Sequence, residues 1–132
     1  MLLEIKDITV HYFKAPAVKN ISITVEDGEI VALIGSNGAG KTTTLRAISG
    51  LKHPTTGGIH FKGQRIDKLP PYKINALGIA MVPEGRRIFP QMTVLENLLM
   101  GAFLRHNKDE IQKNLEGMVF RHFPRLKERK KQ

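Results

Sequence analysis

The sequence contains no cysteine, so disulfide bonds and thiolate metal sites are excluded. It also lacks an apolar run near the roughly 18 residues that a membrane-spanning helix needs, since the longest candidates, residues 30–35 and 94–99, are short and interrupted. The amino terminus lacks the basic stretch followed by an apolar stretch that marks a signal peptide. With 41% hydrophobic and 25% charged residues over 132 positions, the chain is predicted to be a soluble intracellular domain, or part of one.

Positive charge is in excess and unevenly placed. The formal net charge is +9, and +5 of it lies within residues 121–132, where six lysines and arginines stand beside the single acid Glu128. Phe123 is the one aromatic residue of this tail, whereas nucleic-acid surfaces interleave basic with aromatic side chains. We therefore interpret the tail as a solvated helix end or linker rather than a membrane-surface patch, and we expect no nucleic-acid partner.

The hydrophobic pattern predicts an α/β protein with an antiparallel flank on a parallel core. Alternating apolar residues predict two half-buried strands, joined by a loop over residues 11–19 that contains Pro16. A continuous apolar run over residues 29–34 predicts a strand buried on both faces. The predicted strands lie at about residues 2–10, 21–25, 29–34, 59–62 and 79–82. The predicted helices lie at about residues 41–49, 69–77, 93–103 and 107–120, the third opened by Thr93 as N-cap with Glu96 three positions on.

A glycine-rich loop stands between the predicted strand at residues 29–34 and the predicted helix at residues 41–49. Its pattern, Gly-x4-Gly-Lys-Thr, is that of a P-loop. Backbone N–H groups and a helix N-terminus suit a multiply charged anion, and glycine lets the backbone approach the phosphates closely. We predict that nucleotide phosphates are bound by Gly35, Ser36, Asn37, Gly38, Ala39, Gly40, Lys41, Thr42 and Thr43. Lys41 is predicted to meet the β- and γ-phosphate oxygens, Thr42 to complete a Mg²⁺ shell and Thr43 to donate to a phosphate.

Further segments make the chain recognisable. Residues 28–43, Ser49-Gly50-Leu51 and residues 54–58 resemble the ABC transporter ATPases, and the resemblance extends from Leu2 to the last residue. Residues 82–98 and 123–129 look like the smaller ATPase subunit of the branched-chain amino-acid importers. The resemblance implies ATP and Mg²⁺ as cofactors. Its implied partners are membrane permease subunits and a second ATPase subunit, in a homo- or heterodimer at the cytoplasmic face of the cell membrane.

The resemblance also implies roles for two residues outside the loop. In the family an aromatic residue of the first hairpin stacks on adenine, and Tyr12 occupies that position, with Phe13 as its competitor and packing within the hairpin as the alternative. Stacking tolerates different bases, so GTP stays open beside ATP. The family also has a glutamine that reaches Mg²⁺ and the attacking water. Here Glu84 stands in its place, either as a metal ligand or as a surface loop residue, because Gln91 comes seven positions too late.

Residues 86–98 carry a separate hypothesis. The apolar side chains of Ile88, Phe89, Met92 and Val94 are predicted to form the groove that receives a coupling helix of the permease, the alternative being that they complete a local core. The five histidines have no metal-ligand spacing.

The family's catalytic groups beyond the P-loop do not occur in this sequence. There is no Ser-Gly-Gly of a signature loop and no apolar run that ends in Asp-Glu as a Walker B strand does. The switch histidine that follows these motifs in the family does not occur either. We assign no catalytic residue and expect negligible ATP hydrolysis by this polypeptide, because phosphoryl transfer needs all these groups together. We also expect an N-terminal part of a longer subunit, in which residues 29–35 expose an unpaired edge.

Two functions follow from these features. The first is the ATP-binding component of a branched-chain amino-acid importer, and the second is a nucleotide-binding fragment without transport activity of its own. A P-loop kinase or GTPase is disfavoured because no Asn-Lys-x-Asp base-reading motif or acceptor lid is present. The chain is predicted to be one ABC ATPase domain in part, with flank and P-loop core at residues 1–92, the start of a helical subdomain at 93–120 and a basic tail at 121–132.

Overall fold

The computed structural model describes all 132 residues and divides them into two compact units, Met1–Val82 and Pro83–Gln132. No helix in either unit combines the length and the apolar character that crossing a bilayer requires.

The first unit is built on a four-stranded sheet whose order is β2-β1-β3-β4. All three pairings in this sheet are antiparallel. The strands are β1 (Leu3–Tyr12), β2 (Ala15–Val25), β3 (Thr56–Phe61) and β4 (Gln64–Arg65). The predicted strands at the amino terminus and at residues 59–62 are therefore confirmed.

A bulge in β1 explains why its buried residues do not alternate strictly. The pairing of β1 with β2 shifts register between Ile5 and Ile8, and Asp7 there has a left-handed backbone with φ of 47°. The extra residue turns Ile5, Ile8 and Val10 to the same side, where all three are at most 1% exposed. The core of the unit is completed by Val18, Ala47, Ile59, Phe61, Ile66 and Ile74.

The prediction of a loop over residues 11–19 is wrong. The two strands continue to Tyr12 and from Ala15, so that only Phe13 and Lys14 turn the chain. Pro16 pairs with His11 within the ladder. Because β2 lies at the edge of the sheet, the absence of an N–H group in proline is tolerated there.

The strands predicted at residues 29–34 and 79–82, which the predicted parallel core needs, are not formed. Neither segment belongs to the sheet, and Ile30, Ile34 and Val82 are 97%, 95% and 93% exposed. A strand is stabilised by its neighbours, and neither segment pairs with an edge of the four-stranded sheet. The apolar run at residues 29–34 therefore lies largely exposed, without forming the strand edge that was expected.

Two helices complete the first unit. Helix α1 (Lys41–Ile48) follows the glycine loop, and α2 (Pro71–Ala76) has a proline in its first turn, where the missing N–H costs no hydrogen bond. Both confirm predicted helices to within two residues at each end.

The second unit is helical. It contains α3 (Val94–Gly101), α4 (Lys108–Asn114), a π-helical turn (Leu115–Val119), α5 (Phe120–His122) and α6 (Pro124–Glu128). The predicted capping box is confirmed: Thr93 Oγ1 accepts from the Glu96 N–H at 3.2 Å, and Glu96 Oε2 accepts from the Thr93 N–H at 2.7 Å. The latter bond lowers the pKa of Glu96. The predicted third helix ends at Gly101, two residues early, and the fourth is interrupted by the π-helical turn.

Candidate phosphate-binding site

The glycine loop is shaped by close contact with the sheet. Gly38 and Gly40 have φ of 87° and 90°, a left-handed conformation that glycine adopts without strain. At Gly40 a side chain is also excluded by space, because a Cβ would lie 2.7 Å from the Ala17 oxygen and 2.8 Å from Val18 Cγ2. At Gly38 nothing lies within 4 Å of that position. Strand β2 therefore fixes the end of the loop from which α1 starts.

The N-terminus of α1 is open to a ligand. Gly40 is its N-cap and has no side chain to offer, and the first turn contains no acidic residue. The first N–H groups of a helix have no partner within the helix, and together with the helix dipole they favour an anion. The first bond of the ladder joins the Thr44 N–H to the Gly40 oxygen at 2.8 Å, and the Thr44 hydroxyl donates to the same oxygen at 3.0 Å.

The Lys41 side chain folds back over the loop. Its Nζ donates to the oxygens of Gly35 and Ser36, each at 2.7 Å. An ammonium group has three N–H donors, so one of them is left for a further acceptor. Lys41 thus braces the loop while keeping its positive charge at the helix N-terminus.

Tyr12 lies at the end of β1 beside α1. Its hydroxyl oxygen accepts a hydrogen bond from Arg46 Nη1 at 3.3 Å, and the Lys52 ammonium stands 4.8 Å from the centre of its ring. The hydrogen bond from Arg46 lowers the pKa of Tyr12, and the side chain of Thr43 acts in the same direction. Phe13, the other candidate for base stacking, is fully exposed. The sequence reasoning missed Arg46 and Lys52; the available signal was the spacing of Thr43 and Arg46, which places both on one face of the predicted helix.

Glu84 and Gln91 belong to the second unit. Both are exposed, and the Glu84 main-chain oxygen accepts from Arg87 Nε at 3.4 Å. The carboxylate of Glu84 forms no ion pair, and no group of three or more His, Cys, Asp or Glu side chains is arranged to hold a metal ion. The predicted roles of Glu84 and Thr42 toward Mg²⁺ stay predictions.

The second unit contains an open groove of about 840 Å³ between the loop at residues 87–92, α3 and α6. Ile88, Phe89, Met92 and Val94 all line it, and the first two are 68% and 50% exposed. These four side chains therefore share one surface, as predicted.

Asn97, which the sequence reasoning did not single out, organises the groove loop. Its amide oxygen accepts from the Phe89 N–H at 2.8 Å, and its Nδ2 donates to the oxygens of Phe89, Met92 and Thr93 at 3.0 to 3.2 Å. Its position on α3, one turn after the capping threonine, was the only signal in the sequence.

Comparison with known proteins identifies the family. Residues 18–131 match the sequence model of the ABC transporter family. The chain is 43% identical over 131 residues to the high-affinity branched-chain amino acid transport ATP-binding protein BraG of Pseudomonas aeruginosa, covering 99% of this chain and 55% of that protein. It is 36% identical over 116 residues to the alpha-glucoside transport ATP-binding protein AglK of Rhizobium meliloti, covering 87% of this chain and 31% of that protein.

Solved structures agree with the sequence comparisons. The structure of an ATP-binding subunit of an ABC transporter superposes with a TM-score of 0.84 at 34% identity, covering 98% of this chain and 53% of that one. The predicted fold class is confirmed by this likeness. The chain spans about half the length of that structure and of the Pseudomonas protein, and about a third of the Rhizobium protein. The chain therefore belongs to the ABC transporter family.

Proposed function

We propose that this chain binds ATP with Mg²⁺ through its glycine loop. One observation carries the proposal: the uncapped N-terminus of α1, headed by the left-handed Gly40, has the ammonium of Lys41 folded over it. Backbone donors, helix dipole and a flexible positive charge converge there, which is the combination that holds nucleotide phosphates.

The proposed binding residues are those that the sequence predicts. Phosphates are assigned to the loop and the first turn of α1, and the base to Tyr12. For Mg²⁺ we propose the Thr42 hydroxyl, which is exposed in that first turn, and, from the sequence alone, the Glu84 carboxylate. The full set is Tyr12, Gly35, Ser36, Asn37, Gly38, Ala39, Gly40, Lys41, Thr42 and Thr43 for ATP, with Thr42 and Glu84 for the metal.

At the level of the whole protein, we propose the ATP-binding component of a branched-chain amino-acid importer. The likeness to the Pseudomonas protein supports this substrate, whereas the Rhizobium relative is an alpha-glucoside protein and supports only an ATP-binding role in transport. The proposal includes a permease and a second ATPase subunit as partners, at the cytoplasmic face of the cell membrane. It assigns residues 1–92 to the flank and P-loop core, 93–120 to the start of a helical subdomain and 121–132 to a basic tail.

For these 132 residues the proposal covers nucleotide binding and not turnover. The sequence contains no Ser-Gly-Gly and no apolar run ending in Asp-Glu, so the groups that would activate water and stabilise the transition state are not among its residues.

The test measures the affinity of the chain for ATP and for inorganic tripolyphosphate by calorimetry, both with Mg²⁺. We expect both to bind, and Lys41→Ala to weaken both by about 10- to 150-fold, the range that a hydrogen bond to a charged group represents. Lys68→Ala is the matched control, because Lys68 is an exposed lysine without an ion pair. Failure of the unsubstituted chain to bind either ligand would contradict the proposal.

A further inference from the structure

Two cationic side chains converge on the single aromatic ring of Tyr12. Arg46 donates to its hydroxyl at 3.3 Å, and the Lys52 ammonium lies over its face at 4.8 Å from the ring centre. Neither cation forms an ion pair with a carboxylate. The charged groups of Arg46 and Lys52 therefore have Tyr12 as their partner.

The two cations are held by the same helix end. Arg46 is in the last turn of α1, and its carbonyl oxygen accepts from the Lys52 N–H at 3.1 Å. Gly50 turns the chain between them with φ of 75°, and a Cβ there would lie 2.8 Å from Ile74 Cδ1 and 3.0 Å from the Leu69 oxygen. The turn that delivers Lys52 to the ring is thus set by the packing of α1 against α2.

Arg46 and Lys52 contact different parts of the Tyr12 side chain. Its hydroxyl is engaged by Arg46, and one face of its ring is covered by Lys52. No second cation lies over the ring, so the opposite face is the one that a stacked base would use. A ring already fixed by two contacts loses little further rotamer freedom when a flat ligand stacks on it, whereas Phe13 is fully exposed.

We propose that Arg46 and Lys52 are positioning residues that fix the Tyr12 ring as a one-sided platform for the nucleotide base. This inference rests on the proposed function, since it assumes that the phosphates of the same nucleotide occupy the loop at the other end of α1. The platform contacts a base through its π-face, so it favours a stacked base over bare phosphate, and stacking does not select adenine over guanine.

The test compares two affinities in each variant: that for ATP, which uses base and phosphates, and that for inorganic tripolyphosphate, which uses the loop alone. Arg46→Gln is expected to weaken ATP binding by about 2- to 12-fold, the range of one ordinary hydrogen bond. Lys52→Gln is expected to weaken it by about 2- to 5-fold, as for an exposed cation–π contact. Tyr12→Leu is expected to weaken it by about 5- to 150-fold, the range of one stacked base. Tripolyphosphate affinity is expected to stay unchanged in all three variants.

Two further measurements separate positioning from a general structural role. In a Tyr12→Phe background, Arg46→Gln is expected to have no further effect on ATP affinity, because its partner hydroxyl is gone. In a Tyr72→Phe background, Tyr12 is the only tyrosine, and its ultraviolet titration is expected to shift to higher pH on Arg46→Gln, since Arg46 lowers the pKa of Tyr12. Lys68→Gln, which also removes one positive charge from an exposed site, is the control for net charge.

The outcomes are distinguishable. An unchanged ratio of ATP to tripolyphosphate affinity in Arg46→Gln and Lys52→Gln would overturn the inference and leave phosphate binding intact. A loss of ATP affinity in Phe13→Leu but not in Tyr12→Leu would overturn it in favour of Phe13. Equal losses for both ligands in Arg46→Gln would show a structural role and also overturn it. If the unsubstituted chain binds neither ligand, the proposed function fails, and the inference fails with it.

Discussion

Gly38 and Gly40 have nearly the same backbone conformation and different surroundings, which makes them a matched pair for studying the loop. Their φ angles are 87° and 90°, so an alanine at either position is strained by about 1–2 kcal/mol. Only at Gly40 would the added Cβ also meet the backbone of Ala17 and the side chain of Val18. The conformational strain and the close approach to β2 can therefore be measured separately.

Gly38→Ala is expected to lower the free energy of unfolding by about 1–2 kcal/mol, and Gly40→Ala by more than that, because β2 must move as well. Urea unfolding followed by circular dichroism measures both. Gly40→Ala is also expected to lose most of its tripolyphosphate affinity, since the N-terminus of α1 shifts with its N-cap. Equal destabilisation of the two variants would show that the contact with β2 does not constrain the loop.

At the scale of elements, local patterns predicted structure well and pairing did not follow from them. The capping box of Thr93 and Glu96 involves four consecutive residues, so the sequence contains all of it. The apolar run at residues 29–34 has the composition of a buried strand, but a strand also needs neighbours, and Ile30 and Ile34 lie exposed. The contacts of Tyr12 with Arg46 and Lys52 join residues 34 and 40 positions apart, and no local pattern encodes them.

Asp67 links the two last strands of the sheet. Its Oδ1 accepts from the Ile59 N–H of β3 at 3.1 Å and from Arg65 Nε of β4 at 2.8 Å, and Asp67 is only 5% exposed. Burial alone would raise the pKa of Asp67, but the bonds from Arg65 and Ile59 outweigh it, and the net effect lowers that pKa. The carboxylate is therefore favoured in the folded state.

Because the folded-state pKa of Asp67 is the lower one, its contribution to stability is present above the unfolded value of about 3.9 and is lost as pH falls through the folded value. The free energy of unfolding is expected to fall as the solution is acidified below about pH 4. Asp67→Asn should reduce this pH dependence and destabilise the protein near pH 7 by about 1–3 kcal/mol. Urea unfolding between pH 3 and pH 7 measures both effects. Asp27→Asn, at an exposed turn residue, is the control, and a pH dependence that Asp67→Asn leaves unchanged would contradict the assignment.

At the scale of the whole molecule, the two units carry different chemistry. The first presents backbone donors and Lys41 at a helix N-terminus, which suits phosphate. The second presents an open groove with apolar side chains and with Arg87, Arg125 and Arg129 in its lining, which suits a protein segment. The shared surface of Ile88, Phe89, Met92 and Val94 was predictable because they lie close together in the sequence. The contribution of α6 to the same groove was not, because it depends on the packing of residues about 30 positions away.

If the groove receives a helix of the permease, replacing Ile88 and Phe89 together by alanine removes two exposed apolar anchors and should release the chain from permease-containing membranes. Anchors of this kind cost about 2 kcal/mol or more each when they dominate an interface, so the loss of one should weaken binding about 30-fold and the loss of both should weaken it further. Co-sedimentation of the chain with membrane vesicles from its own source cells measures this, before and after protease treatment that removes the exposed loops of membrane proteins. The ATP affinity of the double variant should be unchanged, because the glycine loop belongs to the other unit.

Phe103→Ala is the matched control. Phe103 is 75% exposed, belongs to the same unit and does not line the groove. Its replacement removes more exposed apolar surface than Phe89→Ala does. A non-specific loss of membrane binding would therefore appear in both variants, and a loss of docking only in the groove variant. Retention of the double variant on untreated vesicles at the wild-type level would contradict docking through this groove, because such docking requires the exposed surface of Ile88 and Phe89.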